Sequence, residues 1–243
     1  MDNFPAFADF ILVLLFGIVL PFVSGIRSAA VFKEMPHAFD SLTKRRFYLG
    51  NSFFLFLVAA IVLVVWLLYK RPFSQLGFAS PADIGKKIPW WMIALFIALY
   101  AMDILHSIFD KEEKEKTINS LEDQTPFMPS HWKDLPAYTV MCISAGVFEE
   151  IVFRGYMINF FRYLFEGVPA SSAWAVVTPA IIFSIAHYYQ GTKAVFKILV
   201  LSLLFGMIFW HSGSLYAVIV LHFFVDFISG LLSIYLSSKQ EEP

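Results

Sequence analysis

The sequence predicts an all-α fold, a polytopic transmembrane helix bundle of about seven spans, and three observations predict it. The 243 residues are 58% hydrophobic and only 15% charged, whereas soluble domains carry roughly a quarter of charged residues. The 28 Phe and 6 Trp add bulk suited to lipid contact. Apolar runs of about twenty residues, the length needed to cross a hydrocarbon core, recur along the whole chain. The length suits a single transmembrane domain over 1–243. Net charge is −1, which gives no field for nucleic acid. The lone cysteine, Cys142, excludes an internal disulfide and a multi-cysteine metal site. It reads as a small buried hydrophobe.

Seven spans are expected, at about 7–26, 48–69, 89–109, 136–161, 172–190, 194–210 and 214–236. No basic residue precedes the first run, which distinguishes it from a cleaved signal peptide. Trp66 and Tyr69 before Lys70-Arg71 anchor the end of the second span, and Trp90-Trp91 after Lys86-Lys87 the start of the third. Pro89 and Pro136 suit first-turn positions, and Pro179 is expected to kink the fifth span. Breaks near Gln190-Gly191-Thr192 and His211-Ser212-Gly213-Ser214 separate the last three spans. Residues 111–135 form the one long polar stretch, read as a solvated, helix-compatible loop of mixed charge. Residues 1–110 are then accessory N-terminal spans, and 136–236 the region that carries chemistry. Lys and Arg crowd the loops after the first, third and fifth spans and the C-terminal tail. A cytoplasmic C-terminus in a multi-pass cell-membrane protein is therefore expected.

Ionisable residues concentrate in the later spans. Glu149, Glu150 and Arg154 interrupt an apolar run, His187 ends the fifth span, and His222 and Asp226 lie in the last. A charge at the centre of a membrane helix costs about 2.5–3.5 kcal/mol on insertion scales, so such groups face the bundle interior or a wet cavity. One cavity shared by the fourth, fifth and seventh spans accommodates them all. On an α-helix Glu150 and Arg154 are i, i+4 neighbours and are expected to pair, leaving Glu149 free. An unpaired carboxylate in such a cavity suits general-base work. His222 and Asp226 are again i, i+4, so the aspartate is expected to hold the imidazole tautomer. His187 falls nearer one surface than Glu149 and His222. Asp103 and His106, at i, i+3 in the third span, are read as a local pair. His37, His131 and His211 are read as solvated loop or span-end histidines.

These residues resemble the CAAX-protease and bacteriocin-processing family of intramembrane endopeptidases, the CPBP or Abi family. The motif Glu-Glu-x-x-x-Arg is Glu149, Glu150 and Arg154. The motif Phe-x-x-x-His is Phe183 and His187. The last, His-x-x-x-Asn or a similar polar residue, is His222 and Asp226. Gly213-Ser214-Leu215 through Ala217 reads like the family's approach to it. The resemblance covers about 136–236. It implies a membrane-embedded hydrolase in which Glu149 and His187 activate a water. His222 with residue 226 would stabilise the oxyanion, and Glu150, Arg154 and Phe183 would support the site. An ionised Asp226 only accepts hydrogen bonds, so an aspartate there departs from the asparagine pattern. It must be protonated or act by orienting His222. No cofactor is expected in that scheme. The alternative is a divalent metal, zinc by ligand type, held by Glu149, His187, His222 and Asp226. The partners implied are the lipid bilayer and a peptide or protein substrate, membrane-anchored or lipidated chains among the candidates, with no nucleic acid.

Other membrane-protease signatures are missing: no His-Glu-x-x-His, no Gly-x-Ser-Gly and no Gly-x-Gly-Asp. A proton- or cation-coupled transporter would use the same carboxylates as a relay, but no internal repeat is visible. A non-catalytic membrane scaffold or bacteriocin-immunity protein would tolerate substitution at both Glu149 and His187.

Overall fold

The computed structural model describes residues 4–34 and 39–238, so His37 and the last five residues lie outside the described residues. Eight helices and no strand occur among the described residues. They are α1 (Phe7–Phe32), α2 (Ser41–Leu68), α3 (Trp90–Phe109), α4 (Lys111–Asp123), α5 (Trp132–Leu164), α6 (Ser171–Ala186), α7 (Thr192–Ser212) and α8 (Tyr216–Ser238). All but α4 and α6 are long and apolar enough to cross a membrane, which makes six such helices by length and composition.

The fifth expected span is the one that differs in length. Helix α6 has 16 residues, about 24 Å at 1.5 Å per residue, against a hydrocarbon core of about 30 Å. It ends at Ala186, and a 3₁₀ turn over Tyr188–Gln190 follows. Gly191, at φ 89°, carries the chain back into α7, which packs along α6. Pro179 sits inside α6.

Helix α5 is the hub. It packs on α2 and α8 through its first half and on α6 through its second. Its middle is not a regular α-helix: Ala145–Glu149 and Ile151–Met157 are π-helical. The wider turn of a π-segment, often found at functional sites, changes the faces on which Glu149 and Glu150 emerge. Glycine permits the close approach of α8, since a Cβ on Gly146 would lie 3.1 Å from the Ile219 carbonyl oxygen and from the Phe223 nitrogen.

The accessory spans are fastened to this hub by polar contacts. Asp9 at the start of α1 is fully buried and accepts from Arg71 Nη1 at 2.8 Å and Nη2 at 2.7 Å. Tyr156 of α5 donates to the same carboxylate at 2.6 Å. Phe4, Trp66 and Tyr69 rings lie 4.5–5.1 Å from the guanidinium carbon. After α2, the 3₁₀ turn Phe73–Leu76 tucks under α5, where Asn159 donates to the Gln75 carbonyl at 2.8 Å.

A Cβ on Gly155 would stand 2.7 Å from the Leu76 carbonyl oxygen, a backbone atom with little freedom to move. Gly155→Ala should therefore destabilise the protein by about 1–3 kcal/mol, the usual cost of overpacking. Gly50→Ala, at a helical position with open space around it, should be neutral or stabilising. Thermal unfolding in detergent checks both.

The expected polar loop is largely helical. Asp110 caps α4 by accepting from the Glu113 N–H at 2.9 Å, and that bond holds its carboxyl below the usual range. Lys116 pairs with Glu112 and Glu113 on the exposed face. Lys193 of α7 approaches Glu113 at 3.8 Å. Beyond α4, Phe127 inserts among Phe32, Phe47 and Tyr189, and Tyr48 donates to its carbonyl.

Candidate active site

A cavity of about 550 Å³ opens between α1, α2, α3 and the α5–α8 layer. Its wall is mostly apolar, but Glu149, Arg154, His187, His222 and Asp226 all line it. The combination of a large apolar pocket with a few convergent polar groups is the usual form of a ligand site.

The π-helical bend of α5 presents its two glutamates differently. Glu150 is wholly buried and pairs with Arg154, Nη1 to Oε1 at 2.9 Å. The same Oε1 lies 2.7 Å from His222 Nδ1. Its other oxygen, Oε2, is buried with no hydrogen-bond partner. Glu149 faces the cavity, with Oε2 at 3.8 Å from His222 Nε2. Asp226 Oδ2 lies 3.6 Å from that same nitrogen. Three carboxylates from two helices thus surround one imidazole.

This arrangement corrects the expected tautomer control. Asp226 was expected to hold His222, but the nitrogen within hydrogen-bonding distance of a carboxylate is Nδ1, and the carboxylate is Glu150. Asp226 sits on the Nε2 side, beyond normal hydrogen-bond length. With Nδ1–H donating to Glu150, Nε2 is the atom presented to the cavity. It accepts when the ring is neutral and donates when the ring is protonated.

His187 reaches the cavity from the end of the short α6. Its Nδ1 lies 2.8 Å from the Phe183 carbonyl, which leaves Nε2 for the cavity. His187 lines the same cavity as Glu149 and His222, although the sequence placed it nearer one surface. Phe183 connects the parts: its ring centroid is 4.5 Å from the His187 ring, 6.2 Å from the His222 ring and 4.8 Å from the Arg154 guanidinium carbon.

Two site contributors on α7 escaped sequence reasoning because neither is ionisable. Ser202 accepts from Arg154 Nη2 at 2.9 Å, and Phe205 packs 5.4 Å from the guanidinium and 6.0 Å from the His222 ring. A serine and a phenylalanine at i, i+3 in an apolar span were the available signal. Asp103 also lines the cavity, but its partner is Lys197 of α7 at 2.5 Å, which replaces the expected local pair with His106. Cys142 is free and fully buried.

The zinc alternative has a geometric test in the donors themselves. Among the described residues no group of three or more His, Cys, Asp or Glu side chains is arranged to hold a metal ion. Two of the four candidate ligands, Glu149 and Asp226, approach His222 Nε2, and the donor types suit zinc.

Residues 131–228 match the family model described as Rce1-like, type II CAAX prenyl endopeptidase Rce1-like. This segment is similar to an Rce1-like domain. It runs from the start of α5 into α8, about two-fifths of the chain, and contains every site residue named above except Asp103. No curated protein and no solved structure matches the chain. The Rce1-like family is one of endopeptidases, so the match carries peptide-bond hydrolysis in a multi-pass membrane protein as the implied activity. Helices α1–α4 lie outside the matched residues, yet α1, α2 and α3 build part of the cavity wall.

Proposed function

We propose that this chain is a membrane-embedded endopeptidase in which Glu149 activates a water for attack on a peptide carbonyl. The observation that carries the reading is the shared cavity. Glu149, His187, His222 and Asp226 come from three helices, and all four line one mostly apolar chamber. Glu149 accepts the proton of the attacking water, and His187 Nε2 orients that water. His222 in its protonated form donates Nε2–H to the tetrahedral oxyanion, while Glu150 receives Nδ1–H and Arg154 balances Glu150. Asp226 stabilises the imidazolium from the Nε2 side, a role that an acceptor-only carboxylate can fill. Glu149 then delivers its proton to the leaving amine.

In this reading residues 136–236 are the catalytic core, residues 1–110 an accessory layer that completes the chamber, and 111–135 a polar connection. The site sits in a cell membrane with the C-terminus in the cytoplasm. The apolar chamber suits a peptide carried by a membrane-anchored or lipidated chain.

The test is hydrolysis of a peptide library by the purified protein in lipid, with and without a chelator. The reading predicts cleavage that survives chelation. Cleavage lost to the chelator and restored by zinc would move the mechanism to a metal-bound water. No cleavage of any peptide by folded protein would oppose the peptidase assignment.

A further inference from the structure

A buried polar chain runs from α7 to the cavity. Ser202 Oγ accepts from Arg154 Nη2 at 2.9 Å. Arg154 Nη1 donates to Glu150 Oε1 at 2.9 Å. Glu150 Oε1 receives the Nδ1 side of His222 at 2.7 Å. Every member is at least nine-tenths buried: Ser202 is 3% exposed, Arg154 2%, Glu150 0% and His222 7%. The contacts thread α7, α5 and α8 in sequence and end at His222 Nε2, which faces Glu149 and Asp226.

We infer that Ser202 is a positioning residue of the site, fixing the orientation and tautomer of His222 through Arg154 and Glu150. The inference rests on the peptidase reading for its consequence in catalysis, but not for its geometry.

The reasoning is one of constrained geometry. A guanidinium is a planar fork whose two ends are not independent. Arg154 packs over the Phe183 and Phe205 rings, 4.8 and 5.4 Å from their centroids, so its plane is restricted by packing. Its rotation within that plane is set by what the two Nη groups bind. Nη2 is anchored on Ser202, and Nη1 then selects the oxygen of Glu150 that it binds. That oxygen is the one His222 also uses, while Oε2 has no partner. Glu150 is therefore held with one oxygen doubly engaged and one idle, an asymmetric state that the anchor at Ser202 maintains. Remove the anchor, and Arg154 is free to turn toward the idle oxygen. The carboxylate rotates with it, and His222 loses its defined Nδ1 acceptor. Phe205, on the same face of α7 as Ser202, touches both Arg154 and His222, so α7 holds the relay at two points.

The experiment uses full-length protein in lipid nanodiscs with ¹⁵N-labelled histidine, His222 being assigned by its loss in His222→Gln. Ring nitrogen shifts report the tautomer directly and need no activity. At alkaline pH, where the ring is neutral and a tautomer is defined, wild type should show Nδ1 as the protonated, hydrogen-bonded nitrogen of His222. Ser202→Ala should mix the tautomers or broaden the pair of resonances, and Ser202→Thr, which keeps a hydroxyl, should restore the wild-type pattern. Against a cleaved peptide, Ser202→Ala should lower kcat about tenfold with KM nearly unchanged, the size expected from one misplaced buried donor. Should Ser202→Ala fold poorly, Ser202→Cys keeps the volume with a weaker acceptor and should shift the same resonances. His222 signals in folded Ser202→Ala or Ser202→Cys that are identical to wild type would overturn the inference. Absence of peptidase activity in wild type would count against the proposed reaction only, because the nitrogen shifts are read independently.

Discussion

Glu149→Gln should abolish peptide hydrolysis while leaving the helix bundle intact. The amide has the volume of the carboxylate but cannot accept a proton from water. The expected loss is about 10²–10⁴-fold in kcat, the range attributed to a positioned general base. Folding should be almost unaffected because Glu149 faces the cavity and stands 3.8 Å from His222 Nε2, beyond hydrogen-bond length. Glu150 is the contrasting control. Its carboxylate holds both Arg154 and His222 in a buried setting, so Glu150→Gln should lose thermal stability as well as rate. Parallel measurement of kcat and unfolding temperature separates the two. A Glu149→Gln protein that cleaves within threefold of wild type removes Glu149 from the reaction.

Arg71→Ala should be the most damaging single substitution for stability. It leaves the fully buried Asp9 without its guanidinium partner, held among the described residues by Tyr156 and the Ala6 N–H. Breaking one side of a buried ion pair costs about 3–5 kcal/mol. Three aromatic rings around the guanidinium lose their packing as well. Since the pair ties α1 to α5 through Tyr156, α1 should detach first, and trypsin should then cut at Arg27. Asp9→Leu combined with Arg71→Met should recover most of the loss, because an apolar pair often replaces a buried ion pair at little cost. Unfolding of Arg71→Ala within about 1 kcal/mol of wild type would show that the buried charge finds water or another partner, at less than the usual penalty for breaking a buried pair.

Much of the fold was legible because bilayer thickness imposes a length on each apolar run. The runs that became α2, α3, α7 and α8 could be read from hydropathy alone. The exception was α6, which ends at Ala186, ahead of the break read at Gln190-Gly191-Thr192. What stops it is the turn through His187 and the 3₁₀ segment Tyr188–Gln190, whose aromatic residues suit a span end as well as a turn. The site was legible in its ionisable members for a similar reason: Glu149, Glu150, Arg154, His222 and Asp226 are costly in lipid and advertise themselves. Their partners were less legible. The i, i+4 rule paired Glu150 with Arg154, but it also paired His222 with Asp226, where the tighter contact comes from Glu150 across the helix interface. Two π-helical segments in α5 break the 100° step on which the helical-wheel argument rests. Ser202 carries no charge and so left no mark among the other serines. The Asp9–Arg71 clamp joins residues far apart in sequence, a pairing that no local period encodes.

The most direct measurement of the central claim is a single-turnover cleavage in H₂¹⁸O with enzyme in excess over peptide. If Glu149 activates a water held in the cavity, the new carboxylate carries one ¹⁸O from the first turnover, and the enzyme's own carboxylates stay unlabelled. A first-turnover product without the label, with ¹⁸O recovered in Glu149 afterwards, would mean that the glutamate attacks the carbonyl itself and that the water-activation account is wrong.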